Sequence, residues 1–482
     1  MIRFCTAILL LSSFMFGCEQ PPSQPNIVFI MVDDMGWSDV GCYGSQYYNT
    51  PNFDQLASEG VRFTDAYMMP TCSPSRASLM TGLYPPKTGI YTVDAFSRTP
   101  LEMQKLKGIT SERFIKPENI TIAEVLKNAG YRTGHFGKWH LGNNESTYPL
   151  GQGFDVNVAG CEAGRPDSYF APFRNIKNVL YQEEGDYLTD LITEGAIDFL
   201  NDHSEKPFFL YLSFYQVHVP IQAKQEWVDP YVNIAIDGRQ SLPAYGAVVS
   251  YVDFSIGKVL EAIDQSGFSE NTIIILTSDN GGQIATTSNK PLRGQKGNIY
   301  EGGIRVPLII KSSGIQSRDI STPVTVVDHF PTIMQMAGIT EGEISEHLDG
   351  KSLVPLLSGD TSLDNRSIYW HLPGYNGNGK SNALIWQPPA GAIRKGDWKL
   401  IQHFENKALE LYNLRSDIGE QNDLSASFPD VTKQLLLDLQ SWQKEIKAPI
   451  PRELNEEYNP SATNWIKDQN QRNEAETENL IY

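Results

Sequence analysis

What most restricts the architecture of this chain is the alternation of near-continuous apolar runs with helical patterns. Runs rich in β-branched and aromatic residues occupy Asn26 to Val32, Phe208 to Phe214, Thr272 to Thr277 and Val306 to Ile310. A strand apolar on both alternating faces is stable only in a sheet covered on both sides. Between the runs, Thr121 and Glu124 form a capping-box signature for a helix closing near Gly130, and Asp186 to Leu200 and Ala244 to Ile263 carry amphipathic periodicity. Strands alternating with helices predict an α/β fold with a parallel sheet flanked by helices. From about Arg366 the pattern changes to short strands, at Ser367 to His371, Gly391 to Arg394, Trp398 to Gln402 and Leu409 to Leu414, with Lys395-Gly396-Asp397 as a turn. A helical pattern from Phe428 to Ile446 follows, so the spacing predicts a smaller antiparallel subdomain with one helix. The polar tail after Lys447, broken by Pro449, Pro451 and Pro460, reads as a wrapping arm or a partly disordered segment.

Charge narrows the range of partners. The chain has 482 residues with Lys+Arg 39 and Asp+Glu 57, a formal net charge of −18. Nucleic acids and anionic membranes require a basic footprint, so neither is an expected partner, and any anionic substrate must meet a local cationic pocket. The N-terminus is distinct: Arg3 precedes an apolar run from Ala7 to Phe16, then a polar, proline-rich stretch ends at Pro25. This is an export signal, too short to span a bilayer as a mature helix. Met15-Phe16-Gly17-Cys18 resembles a bacterial lipoprotein cleavage box, which implies a signal at 1–17, lipidated Cys18 and a tether over 18–25. Ordinary secretion with cleavage nearby is the alternative. Cys42, Cys72 and Cys161 then remain beyond the leader, with no Cys-x-x-Cys or Cys/His cluster for zinc and no assigned Cys42–Cys161 pairing.

The chemistry concentrates where strands end, which is where open α/β sheets place their sites. The first apolar run leads into Asp33-Asp34, and Ile273 to Leu276 leads into Ser278-Asp279-Asn280-Gly281-Gly282. Three carboxylates and an amide offer only hard oxygen ligands, which suits Ca²⁺ or Mg²⁺ and disfavours zinc. Either segment alone also fits ordinary turn chemistry. Cys72-Ser73-Pro74-Ser75-Arg76-Ala77-Ser78-Leu79-Met80-Thr81-Gly82 reads as a helix start with Cys72 at its N-terminal end. On chemistry alone, Cys72 is either a low-pKa thiolate nucleophile or a buried thiol without a chemical role.

This segment resembles the signature of the type I sulfatases, in which a Cys-x-Pro-x-Arg core is oxidised to formylglycine (3-oxoalanine). Pro25 to Gly36 is similar to the family's opening strand, Gly137-Lys138-Trp139-His140-Leu141-Gly142 to its Lys/His loop, and Leu292 to Pro307 to its late lysine segment. The resemblance covers roughly Asn26 to Leu414, in order. It implies an alkaline-phosphatase-like fold with a mixed, mainly parallel sheet and a smaller C-terminal antiparallel sheet. The implied organisation is a catalytic domain over 26–365, a C-terminal subdomain over 366–447 and an arm over 448–482.

The resemblance also implies roles. Asp33, Asp34, Asp279 and Asn280 match the metal ligands, with residue 72 completing the shell around Ca²⁺, or Mg²⁺. Arg76 matches the arginine that holds the formylglycine hydrate, one of whose hydroxyls attacks sulfur. Lys138 and Lys296 match the cations on the sulfate oxygens, His140 the contact to the hydrate and candidate base, and His218 the candidate acid for the departing sugar oxygen. His135 and His371 read as structural or substrate-facing. Gly160 to Tyr169, containing Arg165, and Tyr375 to Asn382 are loops able to meet a sugar. The implied activity is sulfate-ester hydrolysis on a sulfated polysaccharide of the algal galactan, ulvan or glycosaminoglycan type. The implied partners are that carbohydrate, a formylglycine-generating maturation enzyme and a membrane reached through the lipid anchor only. A phosphomonoesterase or phosphonate hydrolase of the same superfamily, and a non-catalytic glycan-binding lipoprotein, are the competing readings.

Overall fold

A computed structural model describes residues 24–462 apart from the short segments 95–98, 180–181, 203–205, 235–239, 340–347, 361–362, 364 and 379–383. The signal segment, Cys18, most of the tether, part of the Tyr375–Asn382 loop and the arm beyond residue 462 lie outside the described residues. Among the described residues the larger sheet has nine strands: β1 (Asn26–Val32), β2 (Val61–Tyr67), β3 (Arg132–Gly137), β4 (Val156–Val158), β5 (Phe208–Ser213), β6 (Thr272–Ser278), β7 (Arg305–Lys311), β8 (Arg318–Ile320) and β9 (Val324–Thr325). Their order is β4-β3-β5-β1-β6-β7-β2-β8, with β9 also on β2. The block β4-β3-β5-β1-β6 is parallel throughout. β7 runs antiparallel to β6 and β2, so the sheet is mixed and mainly parallel. This is the mixed sheet that the family resemblance implies; the apolar runs alone suggest a parallel one, because burial on both faces is visible in a sequence and strand direction is not.

Alternation along the strands supplies two cores. Ile27, Phe29 and Met31 face one side with Ile273 and Ile275, against α2 (Cys72–Thr81) and the helices Ile122–Asn128 and His329–Met336. Val28, Ile30 and Val32 face the other with Ile274 and Leu276, against α1 (Pro51–Glu59) and the helices Leu188–Asn201 and Pro243–Gln265. Each fully buried aliphatic side chain contributes roughly 1.5–3 kcal/mol, so both layers hold the strand ends firmly. The capping box at Thr121 forms as expected, with the Glu124 amide on Thr121 Oγ1 at 3.2 Å and the Thr121 amide on Glu124 Oε2 at 2.8 Å.

The C-terminal region forms β10 (Ser367–Leu372), β11 (Asn376–Asn378), β12 (Leu384–Gln387), β13 (Ala390–Lys395), β14 (Trp398–His403) and β15 (Leu409–Asn413). β10-β13-β14-β15 is antiparallel, β11 and β12 make a separate ribbon, and the helix Pro429–Glu445 packs on the sheet. The described part of the arm wraps back: Pro449 O lies 2.8 Å from His371 Nε2, and Asn455 Nδ2 donates to Leu101 O at 2.7 Å and Gln104 O at 2.9 Å. His371 is therefore structural. So is His135, buried among Trp139, Phe154 and Tyr211 with Nδ1 3.1 Å from Asn157 Oδ1. Cys42, Cys72 and Cys161 are free thiols, so Cys42 and Cys161 do not pair.

A buried charge cluster ties the two sheets together. Lys399 Nζ on β14 lies 2.9 Å from Glu301 Oε1 and 2.9 Å from Glu420 Oε1, and the Glu301 amide donates to Glu420 Oε2 at 2.7 Å. Arg305 pairs with Glu301 at 3.2 Å and Asp65 at 3.1 Å, and Arg394 pairs with Asp65 at 2.8 Å. Burial raises both glutamates; Lys399, Arg305 and Arg394 nevertheless hold Glu301 down to about 2. Glu420 takes the opposite course: burial, with repulsion from Glu301, outweighs Lys399 and pushes it up to about 7.

Candidate active site

The site is built on the C-terminal ends of β1 and β6. Beyond β1 the backbone keeps pairing with the segment after β5: the Asp33 amide donates to Gln216 O at 2.9 Å and the Val217 amide to Asp33 O at 2.7 Å. The Asp279 amide donates to Val32 O at 3.2 Å and the Asp34 amide to Asp279 Oδ1 at 3.1 Å, so the two acidic segments are laid side by side. Asn280 Nδ2 donates to Asp34 Oδ1 at 2.8 Å. Asp34 has φ 64°, a left-handed backbone that a non-glycine residue rarely adopts. All four residues are buried.

The late lysine segment is brought in by glycine contacts. A Cβ on Gly281 would sit 1.9 Å from Gly302 O, so only a residue without one lets the two backbones meet. Gly281 N donates to Gly303 O at 3.0 Å and Lys296 N to Gly282 O at 3.1 Å, which carries Lys296 Nζ to within 2.7 Å of Asp34. Lys138 Nζ reaches Asp33 Oδ2 at 2.7 Å. Arg76 gives Nε and Nη2 to Asp279 Oδ2 at 2.9 and 2.7 Å, and Nη1 to Lys138 O at 3.0 Å and Ser213 Oγ at 2.5 Å. Three buried cations thus balance three buried carboxylates. Against burial, Lys296 holds Asp34 below the usual carboxylate range, Arg76 does the same for Asp279, and Asp34 holds Lys296 above the usual ammonium value. Asp33 goes the other way, raised by burial and by Asp279.

Cys72 opens α2, a helix buried at all ten positions. Its Sγ lies 3.5 Å from His140 Nδ1, and its ligand atom groups with those of Asp33 and Asp279 within 4.8 Å of one another. Burial lifts the thiol, although Lys138 and Lys296 pull it the other way. The low-pKa thiolate reading from the helix N-terminus is thereby corrected: desolvation outweighs the dipole and both cations.

The two histidines face the centre from opposite loops. His140 Nδ1 lies 3.2 Å from Ser73 Oγ, and burial followed by the charges of Lys138 and Arg76 keeps the ring neutral. His218 Nε2 is 3.5 Å from Asp34 Oδ2, and Nδ1 is 2.9 Å from Val219 O. A carbonyl only accepts, so Nδ1 carries the proton and Nε2 of the neutral ring is bare. Burial and Lys296 push His218 down to about 3, with Asp34 opposing.

All ten of the expected site residues, Asp33, Asp34, Cys72, Arg76, Lys138, His140, His218, Asp279, Asn280 and Lys296, therefore meet in one place. Two participants were not foreseen. Ser73, beside Cys72, shares His140 Nδ1, and Ser213, the last residue of β5, holds Arg76. Ser73 sits inside the signature and was readable from it. Ser213 ends an apolar run without any motif of its own. Tyr375, in a loop expected to meet sugar, instead accepts the Leu106 amide at 2.9 Å and faces Glu405, so it is structural.

The family model described as "Sulfatase" matches residues 25–339, and one described as "N-sulphoglucosamine sulphohydrolase, C-terminal" matches 295–445. The chain belongs to the sulfatase family. Among sulfatase relatives, it is 30% identical to a "Sulfatase" of Formosa agariphila over 88% of this chain and 90% of that one. It is 33% identical to human N-acetylgalactosamine-6-sulfatase over 93% and 91%. The crystal structure of Ps i-CgsB in complex with k-i-k-neocarrahexaose superposes with a TM-score of 0.71 at 29% identity, covering 93% of this chain and 96% of that one. This sulfatase is accordingly a sulfuric ester hydrolase.

The donor set fits a divalent cation. Asp33 Oδ1 and Asn280 Oδ1 are buried acceptors without a hydrogen-bond partner, and together with Asp34 and Asp279 they offer oxygen alone. Orphaned buried oxygens are costly unless a ligand satisfies them, and a hard cation does so.

Proposed function

We propose that this sulfatase removes sulfate from a sulfated polysaccharide through formylglycine at position 72, with Ca²⁺, or Mg²⁺, held by Asp33, Asp34, Asp279 and Asn280. The observation that carries this reading is a mismatch: a buried, neutral thiol stands beside a cluster of hard oxygen ligands. Sulfur is a poor partner for Ca²⁺ or Mg²⁺; replacing it with the oxygens of a hydrated aldehyde gives a matched donor set and a nucleophile. When bound, the cation supplies positive charge and lowers the pKa of oxygens close to it. The aldehyde supplies, as its hydrate, a hydroxyl for attack on sulfur and a route back to the carbonyl as sulfate leaves.

The chain's own residues arrange the rest. Arg76 fixes Asp279 and, through Lys138 O and Ser213, the lysine loop. With Asp33 and Asp34 engaged by a cation, the ammonium groups of Lys138 and Lys296 are free to hold sulfate oxygens. Neutral His140 accepts a proton at Nδ1, which faces residue 72. For His218 to protonate a departing sugar oxygen, Nε2 must first be charged, and an anionic ester beside Lys296 favours that form by offsetting the lysine's repulsion.

Several features support the substrate and setting. One relative's structure holds a carrahexaose, and another relative is named for a sulfated hexosamine. The leader supports export with lipidated Cys18, and β1 places Asp33 seven strand residues, about 23 Å, beyond the point where the chain enters the sheet. This reading requires a formylglycine-generating maturation enzyme as a partner, to oxidise the cysteine. No helix among the described residues is long and apolar enough to cross a membrane.

Matured enzyme is expected to release inorganic sulfate, and no phosphate, from matched ester pairs. A chelator should abolish release and lower the melting temperature, with Ca²⁺ restoring both; at 100 times its Kd the ion is worth about 2.7 kcal/mol. Phosphate release, or turnover and melting unaffected by chelation, would contradict the reading. His218→Ala should cost about 10²-fold on sugar sulfates and distinctly less on aryl sulfates, whose leaving groups need little protonation. Equal losses on both would remove His218 from the acid role.

A further inference from the structure

The loop 161–169 bridges the two histidines. At one end His140 N donates to Cys161 O at 3.0 Å, and a Cβ on Gly164 would lie 2.6 Å from His140 Cε1 and 2.7 Å from Nε2. Gly164 therefore lies directly on the imidazole. At the other end Tyr169 OH is 2.9 Å from His218 O and 2.7 Å from Tyr215 O. Both histidines are partly exposed, His218 at 13%, so solvent reaches the site at these two residues, its mouth, and loop 161–169 touches both.

Arg165 follows Gly164 and is exposed. Among the described residues it has no carboxylate within ion-pair distance, in a chain whose net charge is −18. Its backbone is fixed on both sides. Asn175 Nδ2 donates to Arg165 O at 2.8 Å and Asn175 Oδ1 accepts the Asp167 amide at 2.9 Å, while buried Pro166 keeps Arg165 out of the helical region. Burial raises the Tyr169 phenol far above its ordinary value and Arg165 acts against this, so the guanidinium lies within electrostatic reach of the residue bound to His218 O. Lys138, Lys296 and Arg76 are buried on carboxylates inside the site, whereas Arg165 is an exposed guanidinium on the residue next to the glycine that lies against His140.

We propose that Arg165 forms an anion subsite at the mouth of the site, which takes a second charged group, a carboxylate or another sulfate, on the glycan carrying the ester to be cleaved. This rests on the sulfatase reading above and adds to it: the substrate is a glycan with more than one negative group near the scissile sulfate. A planar guanidinium meets either group with two parallel hydrogen bonds, so lysine is only a partial replacement.

The test uses matured, Ca²⁺-replete enzyme with an aryl sulfate as reporter. Three sulfated oligosaccharides are compared as competitive inhibitors: one monosulfated and otherwise neutral, one with an added sulfate and one with an added uronate. Arg165→Ala is expected to weaken one or both doubly anionic inhibitors at least tenfold more than the monosulfated one, and Arg165→Lys to recover part of the loss. The arm that responds identifies the anion. The preference for doubly anionic inhibitors should also shrink with salt in the wild type and much less in Arg165→Ala. Equal weakening in all three arms, or no weakening, overturns the proposal. Loss of aryl-sulfate turnover in the wild type would instead contradict the sulfatase reading, and calorimetric binding of the same three sugars still reads the Arg165 effect.

Discussion

Cys72→Ala is expected to lower sulfate release by about 10⁴-fold or more, the scale seen when a covalent nucleophile is removed. Stability should barely change: Cys72 is a small buried side chain, and losing one such group costs about 1 kcal/mol. Cys72→Ser separates a generic nucleophile from one that regenerates itself. A serine hydroxyl can take the sulfo group, but its ester has no second hydroxyl through which to collapse to a carbonyl. The serine protein should release at most one equivalent of leaving group and then stall. Sustained turnover by the serine variant, or an alanine variant within tenfold of wild type, would remove residue 72 from the centre of the reaction.

Lys399→Met should be the most damaging substitution far from the site. Lys399 is the shared cation between Glu301 and Glu420, all three being fully buried. Removing one partner of a buried pair leaves uncompensated charge, at a cost of about 3–5 kcal/mol. Adding Glu420→Gln to Lys399→Met should return much of this, because the remaining glutamate keeps Arg305. The same cluster sets a pH dependence. Glu420 has a folded-state value near 7 against an ordinary 4.5, so folding favours its neutral form. Its contribution is therefore fully present below about 4.5 and is lost as pH rises toward 7. Melting curves of wild type against Glu420→Gln should show this decline in the wild type alone. A Lys399→Met protein as stable as wild type would show that the cluster does not couple the two sheets.

The sequence reveals burial and chemistry more readily than direction and partnership. The runs at 26–32, 208–214 and 272–277 became β1, β5 and β6, since strands apolar on both faces have few alternatives to a covered sheet. β2 and β3 were missed because Arg62, Thr64 and Asp65, and Arg132, Thr133 and His135, interrupt the apolar pattern. Several of these polar residues are satisfied by distant partners, such as Asp65 by Arg305 and Arg394. The reversed direction of β7 is set by its pairing with β6 and β2, which no local pattern encodes. At the site, the motif residues were visible because their chemistry is unusual at strand ends. Ser213 and the Lys399 cluster were not, because a single polar residue in an apolar run looks the same whether it holds an arginine or a water molecule.

The chemistry at residue 72 is read most directly by peptide mass spectrometry of the segment carrying Cys72, taken from enzyme that is releasing sulfate. An aldehyde or its hydrate is expected in place of the thiol, in proportion to specific activity as maturation is varied. Full activity in a preparation where residue 72 is entirely cysteine would contradict it.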